Sequence, residues 1–425
     1  EHSVLCHARK GEPMTTRQRS DSALSTQHSA LVRPAEPEEM PEFARIVALS
    51  LALDPHSFEM LRPEWTLCAF ESGRLATCYA AWPFTMRLNG APVPVAGVTT
   101  VSTLPTARRR GHLRAIMDAD FHRLHDSGGP SIAILYASLA AIYQRFGYGI
   151  VSTHHSYHVE PRYLTFSRPA TLRGTLREVT RDDSGLLNDL FRRFRDRRNG
   201  YLHRSRASWA IGPLADPPAG HTLSLLVYEE DGEPLGHLIY TTGPGDYPGP
   251  GPGQVLQIRD LVWLTPAAYR AFWEHLAPFD LVREVVWSSV PPDDPLPHLL
   301  LEPRMLRDTA RDGILARIVD VDRALPSRPY GADATLSFEL LDEMCPWNAG
   351  RWQLETSADG ADVRRTTAEP QVTLPVQTLS MLLFGQISAT EAARMGRLDA
   401  HEPEALESWD LAMRTRYRPF CPDQF

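Results

Sequence analysis

A run of arginines followed by glycine could bind a phosphate group. Arg108, Arg109 and Arg110 precede Gly111, and a helical pattern begins at His112. Arginine supplies charge and planar donors, and glycine lets backbone N–H groups approach an anion closely. The first N–H groups of a helix lack internal partners, and the helix dipole favours negative charge there. The segment therefore predicts an anion site, although a solvated basic turn that caps a helix has the same composition.

The residues around this segment supply the elements that must position it. The stretch 98–103 is rich in β-branched residues and predicts a strand, which a turn at Pro105 ends. From position 112 to 125, large apolar residues recur at helical spacing and predict one buried helix face. The order is therefore strand, turn, basic glycine loop and helix.

Length and composition indicate a globular protein of several domains. The chain has 425 residues, more than one hydrophobic core usually organises. Hydrophobic residues make up 43% and charged residues 23%. The net charge of −8 argues against nucleic-acid binding and mildly favours cationic substrates, with simple solubility as the alternative reason for its sign. The five cysteines lack C-x-x-C spacing, and no apolar run approaches the length of a membrane span. We therefore expect a cytoplasmic protein without nucleic-acid or membrane partners.

Three units are predicted after a polar start. Residues 1–29 have the composition of a disordered tail. Residues 30–160 alternate strands and helices around the basic loop. Residues 161–307 repeat this order, but the stretch 265–270 at the position of the loop has no glycine and a single arginine. This pattern favours a degenerate copy of the first unit, with an unrelated α/β domain as the alternative, and 308–425 predicts a small third domain.

The order of elements resembles the GNAT N-acetyltransferase fold. In that family the phosphate loop reads Arg or Gln, two residues, Gly, one residue, then Gly or Ala. Residues Arg108–Leu113 match it, except that Leu113 departs at the last position. A second match is Ile142–Tyr148, in which Tyr143 precedes the letters RFGY. The mixed strands and late helices of the third domain look like a sterol carrier protein domain.

Together these matches resemble the Eis (enhanced intracellular survival) family of GNAT acetyltransferases over roughly residues 30–425. The resemblance implies a mixed fold of helices and strands (α/β in the broad sense, α+β in the strict one). Two tandem GNAT-like units would be followed by a sterol-carrier-protein-like domain with a C-terminal tail that enters the active site. Family members assemble as homo-oligomers, so a hexamer is expected.

The resemblance also implies acetyl-coenzyme A as co-substrate. The loop and the helix N-terminus would hold the pyrophosphate, and the end of the preceding strand would hold the pantetheine arm. No metal is expected, because His154 and His158 share one strand face without a third ligand. The implied coenzyme-binding residues are Val101, Ser102, Thr103, Arg108, Arg109, Arg110, Gly111, His112, Leu113 and Arg114.

Two catalytic groups follow from the same resemblance. Tyr143 would donate a proton to the departing thiolate, and the α-carboxylate of Phe425 would act as base towards the attacking amine. A packed tyrosine and a frayed chain end are the alternatives. Phe58, Trp82 and Phe84 are candidates for the wall of a substrate pocket, although aromatic residues near strands more often belong to a core.

The predicted function is acetyl-coenzyme A-dependent N-acetylation of a cationic small molecule. By resemblance, the acceptors would be polyamines of the aminoglycoside type. The same fold could instead acylate a biosynthetic intermediate or a protein lysine. A non-catalytic protein that binds lipid through the third domain is a further alternative, and the intact loop and Tyr143 argue against it.

Overall fold

A computed structural model describes residues 30–52, 54, 60–247 and 250–425. Two seven-stranded sheets and one five-stranded sheet organise this part of the chain. The first sheet runs in the order β1 (Leu31–Arg33), β2 (Cys68–Glu71), β3 (Arg74–Leu88), β4 (Ala91–Thr103), β5 (Ile132–Tyr136), β14 (Ile314–Ile318) and β6 (Gly149–Ile150).

Helices cover both faces of the first sheet because its long strands alternate their side chains between two cores. Three helices belong to this unit: α1 (Met40–Leu51), α2 (His112–Asp126) and α3 (Ala140–Gln144). Helix α1 buries Phe43, Ile46 and Val47 against one face. Helix α2 buries Met117 and Phe121 against the other, as its spacing predicted. The sheet is therefore held rigidly on both sides of the strand that leads into the basic loop.

The second sheet repeats the antiparallel hairpins and the parallel crossover of the first. Its order is β13 (Thr309–Asp312), β7 (Thr153–Val159), β12 (Val282–Val290), β11 (Gln254–Trp263), β10 (Glu233–Pro244), β9 (Thr222–Glu230) and β8 (Thr175–Glu178). Its helices are α4 (Ser184–Arg195), α5 (Arg206–Ile211), α6 (Pro266–Leu276) and α7 (Leu296–Leu299).

The third domain packs its helices on one sheet and on the first unit. The sheet runs β17 (Gly360–Arg365), β16 (Gly350–Ser357), β15 (Ala334–Leu341), β18 (Val372–Pro375) and β19 (Asp399–Ala400). The helices are α8 (Val321–Ala324), α9 (Val376–Phe384), α10 (Ala389–Arg394) and α11 (Ala405–Met413). One continuous core joins Ile134 and Ala316 of the first sheet to Leu379 of α9. The predicted class, two similar α/β units followed by a smaller mixed domain, is confirmed.

Two strands cross between the first and second sheets. The first unit was predicted to extend to residue 160, but β7 pairs with β12 and β13 in the second sheet. In return, β14 inserts between β5 and β6 of the first sheet. The alternation of a strand predicts its faces but not its partners, which explains the error. The predicted limit at 160 directly follows β7, while β13 and β14 lie beyond the predicted limit at 307 although they belong to the second and the first sheet.

No helix in the described part of the chain combines the length and the apolar character needed to cross a membrane.

Candidate active site

Strands β4 and β5 separate to form a cleft in the first unit. Their parallel pairing is confined to Ala96 with Ala133 and Gly97 with Ile134. Beyond this point β4 carries a bulge, in which Thr100 adopts a φ of 55° and two β4 residues face one residue of β3. A bulge bends its strand and increases the local twist. The end of β4 therefore turns away from β5 and leaves its edge open.

The basic loop closes one end of this cleft. A single 3-10 turn, Pro105–Ala107, follows β4, and the chain then passes through Arg109 with a φ of 65°. Gly111 is the N-cap of α2 with a φ of 84°, a left-handed conformation that glycine adopts at little cost. It offers no side chain to cap the helix, so the first N–H groups of α2 face the cleft region without an internal partner.

The equivalent helix of the second unit offers fewer free N–H groups at its N-terminus for binding an anion. Helix α6 begins after Thr265, whose hydroxyl oxygen accepts the backbone N–H of Ala268 at 3.2 Å. Pro266, the first residue of α6, has no N–H to offer. The groups that could bind a phosphate at α2 are thus absent or occupied at α6. This difference supports the prediction that the second copy is degenerate.

The arginines of the loop have different environments. The guanidinium of Arg110 forms an ion pair with Glu71 and donates to the Thr106 carbonyl at 2.8 Å. Arg108 donates to the Thr103 carbonyl at 3.3 Å, which ties the loop to the end of β4. Arg109 is exposed. Arg110 therefore holds the loop in shape, while the exposed Arg109 has a left-handed backbone conformation.

The structure brings the predicted coenzyme residues into one cleft of about 880 Å³. All ten line it, together with Tyr143. His112 is buried, and its Nδ1 lies 3.3 Å from the Thr77 hydroxyl. Ala107 of the loop also lines the cleft, as do residues that the sequence analysis missed, which are Ser50, Leu51, Ser138, Leu139, Ile142, Arg145 and Phe146. Three of these lie in or beside the segment that identified Tyr143, and the rest carry no local signal.

Tyr143 lies on α3 at the wall of the cleft. Its side chain is 8% exposed, and its ring packs edge-on against Tyr148 with 6.0 Å between centroids. Burial raises the pKa of Tyr143 to about 12. The phenol therefore keeps its proton across the physiological pH range and can donate it.

A row of aromatic rings borders the other side of the β4–β5 junction. Trp65 lies 5.2 Å from Trp82, which stacks at 6.4 Å on Phe84. Phe84 packs edge-on against Phe425 at 5.2 Å, and Phe425 lies 5.3 Å from Tyr136 of β5. Trp82 and Phe84 are half-buried and so present part of their surface. The third predicted wall residue, Phe58, lies outside the described residues.

The C-terminal segment is docked against both units. The backbone N–H of Phe420 donates to the Asn199 carbonyl at 3.0 Å. The hydroxyl of Tyr136 donates to the Cys421 carbonyl at 2.7 Å. These bonds lead the chain to Phe425, whose ring rests near Gly97, where β4 and β5 part. The tail is thus part of the packed structure, and Trp65 and Tyr136 are site residues that the sequence analysis did not identify.

The histidines of β7 have separate partners. His154 is buried beside Tyr136 and Phe420, and burial lowers its pKa to about 4. His155 pairs with Asp308, and His158 pairs with Glu284. Among the described residues no three potential metal ligands form a cluster.

Comparison with known proteins assigns three stretches of the chain to known domain families. Sequence models of an acetyltransferase (GNAT) domain match residues 31–151 and 200–318, and a sterol carrier protein domain matches 321–422. An uncharacterized N-acetyltransferase of Streptomyces avermitilis is 34% identical over 79% of this chain and 83% of its own length. N-acetyltransferase Eis of Mycobacterium tuberculosis is 31% identical over 75% of this chain and 78% of its own.

Solved structures agree with this assignment. Eis1 of Mycobacterium abscessus superposes with a TM-score of 0.80 at 28% identity, over 93% of this chain and 100% of that one. A GCN5-related N-acetyltransferase of Anabaena variabilis shares the fold with a TM-score of 0.83 at 22% identity, over 93% and 100% of the two chains. The open loop of the first unit, its closed counterpart in the second and these similarities lead to one conclusion: the chain is an acetyl-transferring enzyme that belongs to the Eis-like family of GNAT N-acetyltransferases.

Proposed function

We propose that the enzyme transfers the acetyl group of acetyl-coenzyme A to amino groups of a cationic small molecule of the aminoglycoside type. The observation that carries this proposal is the single cleft that joins the uncapped N-terminus of α2, the open edge of β4 and Tyr143. These are the parts that a coenzyme with a pyrophosphate, an extended arm and a thioester requires.

The basic loop would hold the coenzyme by its charged end. Backbone N–H groups from Gly111 onwards bind the pyrophosphate, and the exposed guanidinium groups of Arg109 and Arg114 add charge. Backbone groups of Val101 and Thr103 form sheet-like hydrogen bonds with the pantetheine arm along the free edge of β4. The acetyl group then reaches the point where β4 and β5 part.

The acceptor amine would attack the thioester carbonyl from the side of the aromatic rings. A bond forms between the amine nitrogen and the acetyl carbon, and a backbone N–H of β4 stabilises the oxyanion. The carboxylate of Phe425 accepts the proton that the amine loses. As the carbon–sulfur bond breaks, Tyr143 donates its proton to the sulfur, so that charge and protons balance.

The aromatic row suits a cationic acceptor. The half-exposed faces of Trp82 and Phe84 attract ammonium groups that are not yet acetylated, because the ring quadrupole is negative at its face. The net charge of −8 also favours the approach of polyamines. Both features support a substrate with several amino groups over a neutral one.

A turnover assay on a panel of amines tests the proposal. We expect acetyl-coenzyme A to raise the melting temperature and aminoglycosides to be acetylated, with free thiol as the readout. Tyr143→Phe should lower kcat on the order of 10²- to 10⁴-fold. Tyr148→Phe is the matched control, because its hydroxyl is buried without a partner and its loss should leave kcat unchanged.

The panel also decides between acceptors. It includes a lysine peptide and simple biosynthetic amines beside the aminoglycosides. Turnover of the peptide alone would contradict the small-molecule substrate. Stabilisation by hydrophobic ligands without any turnover would contradict the enzyme mechanism proposed for the cleft.

Assembly and location form part of the same proposal. By family resemblance the enzyme forms a homo-oligomer, a hexamer, in the cytoplasm. Light scattering on the purified protein tests the assembly, and a monomer at working concentration would contradict it.

A further inference from the structure

The second unit has a cleft of its own between diverging strands, and the C-terminal tail fills it. The parallel pairing of β11 and β12 runs from Gln254 with Val282 to Gln257 with Val286 and then stops. Beyond that point the strands part as β4 and β5 do. The tail residues Phe420 and Pro422 line the space together with residues of both strands, and only about 20 Å³ remains open. The tail thus occupies the place that the coenzyme arm would take in the first unit.

A buried ionic network fastens the tail in this cleft. The side chain of Arg204 is 2% exposed, and its Nε lies 2.7 Å from Oδ1 of Asp423. Its Nη1 lies 2.7 Å from Oδ2 of Asp260 on β11. Nε2 of His237 on β10 lies 2.9 Å from the same Asp260 oxygen. One tail carboxylate is therefore tied by one arginine to the centre of the second sheet.

The network has the character of a positional constraint. The guanidinium of Arg204 also packs 3.8 Å from the Phe191 ring centroid, which leaves it little freedom. Buried ion pairs add little net stability over apolar residues, but they fix one arrangement of the groups that they join. Oδ2 of Asp423 is buried without a hydrogen-bond partner, which lowers the net stability that the network contributes.

Asp423 stands two residues before Phe425. Two residues span at most about 7 Å, so a fixed Asp423 confines Phe425 to a small volume. The Phe425 ring contacts Phe84 and Tyr136 within that volume. The position of Asp423 in the second unit therefore determines where Phe425 lies in the first.

We propose that Arg204 is a positioning residue for acetyl transfer, and that the former coenzyme cleft of the second unit serves as a socket for the C-terminal tail. By binding Asp423, Arg204 sets the place of the Phe425 carboxylate beside the acceptor amine. This inference rests on the proposed function, in which that carboxylate is the base.

Two variants test the anchor in the full-length protein. Asp423→Ala removes the side-chain carboxylate of Asp423 and leaves the Arg204–Asp260 pair intact. This variant should therefore fold even if Arg204→Met does not. Both should lower kcat/KM for the acceptor amine about 10- to 100-fold, because a displacement of about 1 Å at a reacting group has effects of that size. The KM for acetyl-coenzyme A should not change, and Arg204→Lys should restore part of the activity.

A second measurement probes how accessible the C-terminal tail is, and it does not depend on enzyme activity. Carboxypeptidase should release phenylalanine from folded Asp423→Ala faster than from the wild-type protein. Arg193→Met is the matched control, since Arg193 belongs to the same unit but pairs at the surface with Glu233. It should change neither kinetics nor release.

The outcomes separate this inference from the function on which it rests. Unchanged kcat/KM in Asp423→Ala, or release of phenylalanine no faster than from wild type, would overturn the role of Arg204. An equal rise of both KM values would show a merely structural role and would also overturn it. If the wild-type enzyme acetylates no amine, the proposed function fails by itself, while the carboxypeptidase assay still decides whether Arg204 anchors the tail.

Discussion

Gly97 of β4 lies directly beneath the ring of Phe84 on β3. A Cβ atom at position 97 would overlap that ring and would come within 3.5 Å of the ring of Phe425. The absence of a side chain thus lets two aromatic residues, far apart in the sequence, meet where β4 and β5 separate.

Replacing Gly97 should disturb the acceptor side of the cleft and spare the coenzyme side. In Gly97→Ala the Phe84 ring must move and push Phe425 with it, so we expect kcat/KM for the amine to fall about tenfold or more. Steady-state kinetics with each substrate varied separately measure this. Gly185→Ala is the control: it lies in α4 with no atom within 4 Å of an added Cβ, and should be neutral or slightly stabilising. If only the KM for acetyl-coenzyme A rose, the assignment of Gly97 to the acceptor side of the cleft would be contradicted.

Gly111→Ala should weaken coenzyme binding. A residue with a Cβ in this left-handed conformation costs about 1–2 kcal/mol, so the loop should shift and re-aim the first N–H groups of α2. We expect the KM for acetyl-coenzyme A to rise while the KM for the amine stays. Gly232→Ala carries the same strain, at a φ of 80° with free space around it, in the second unit. It should lose similar stability in a urea titration but keep its KM, and equal kinetic effects in both variants would exclude a specific role of the loop.

The position of the Phe425 carboxylate can be tested by changing chain length. One added residue moves that carboxylate by about 3.5 Å. The base would then miss the amine, and we expect kcat to fall on the order of 100-fold. Phe425→Leu keeps the carboxylate but loses the aromatic contacts with Phe84 and Tyr136, so it should mainly raise the KM for the amine. An extended enzyme with wild-type turnover would remove Phe425 from the mechanism.

His154 should make the fold sensitive to acid. Burial lowers its pKa from 6.5 to about 4, and Arg311 acts in the same direction. Between these values the unfolded chain binds a proton that the folded protein does not, so stability is full above pH 6.5 and falls as the pH falls towards 4. The loss from this group is at most roughly 3 kcal/mol.

Urea unfolding of His154→Phe at pH 7 and pH 4.5 measures that contribution. The variant should lose less stability than the wild-type protein over this interval. The control is His155→Gln, on the neighbouring position but paired with Asp308 at the surface. A wild-type-like loss in His154→Phe would show that other groups cause the acid sensitivity.

The parts of the site that are local in sequence could be predicted. The basic loop and the face of α2 follow from spacing and from residue types that act within a few positions, whereas Tyr143 was identified through the resemblance to the GNAT family. The ion pair of Arg110 with Glu71 could not be foreseen, because Glu71 ends strand β2, 39 residues earlier in the chain. Arg110 therefore supports the loop as well as charging it.

The parts that depend on topology were missed or misplaced. Trp65 lies on a short 3-10 turn and Tyr136 on β5, and only the tertiary fold brings them into one aromatic row. Arg204 and Asp423 are separated by 219 residues, and no local pattern links them. The same holds for β7, which pairs outside the unit to which it was assigned, and for β14, whose place between β5 and β6 no local pattern indicates.

The exchange of β7 and β14 between the two sheets also determines when the first sheet can be completed during synthesis. When a ribosome has released β5 and β6, the place between them is still empty, because β14 emerges only with residues 314–318. Until then both strands carry unpaired edges, which are prone to aggregation. A fragment that ends at residue 151 should therefore be insoluble although it contains the whole basic loop. The nascent enzyme gains a complete first sheet only after its degenerate unit has been made.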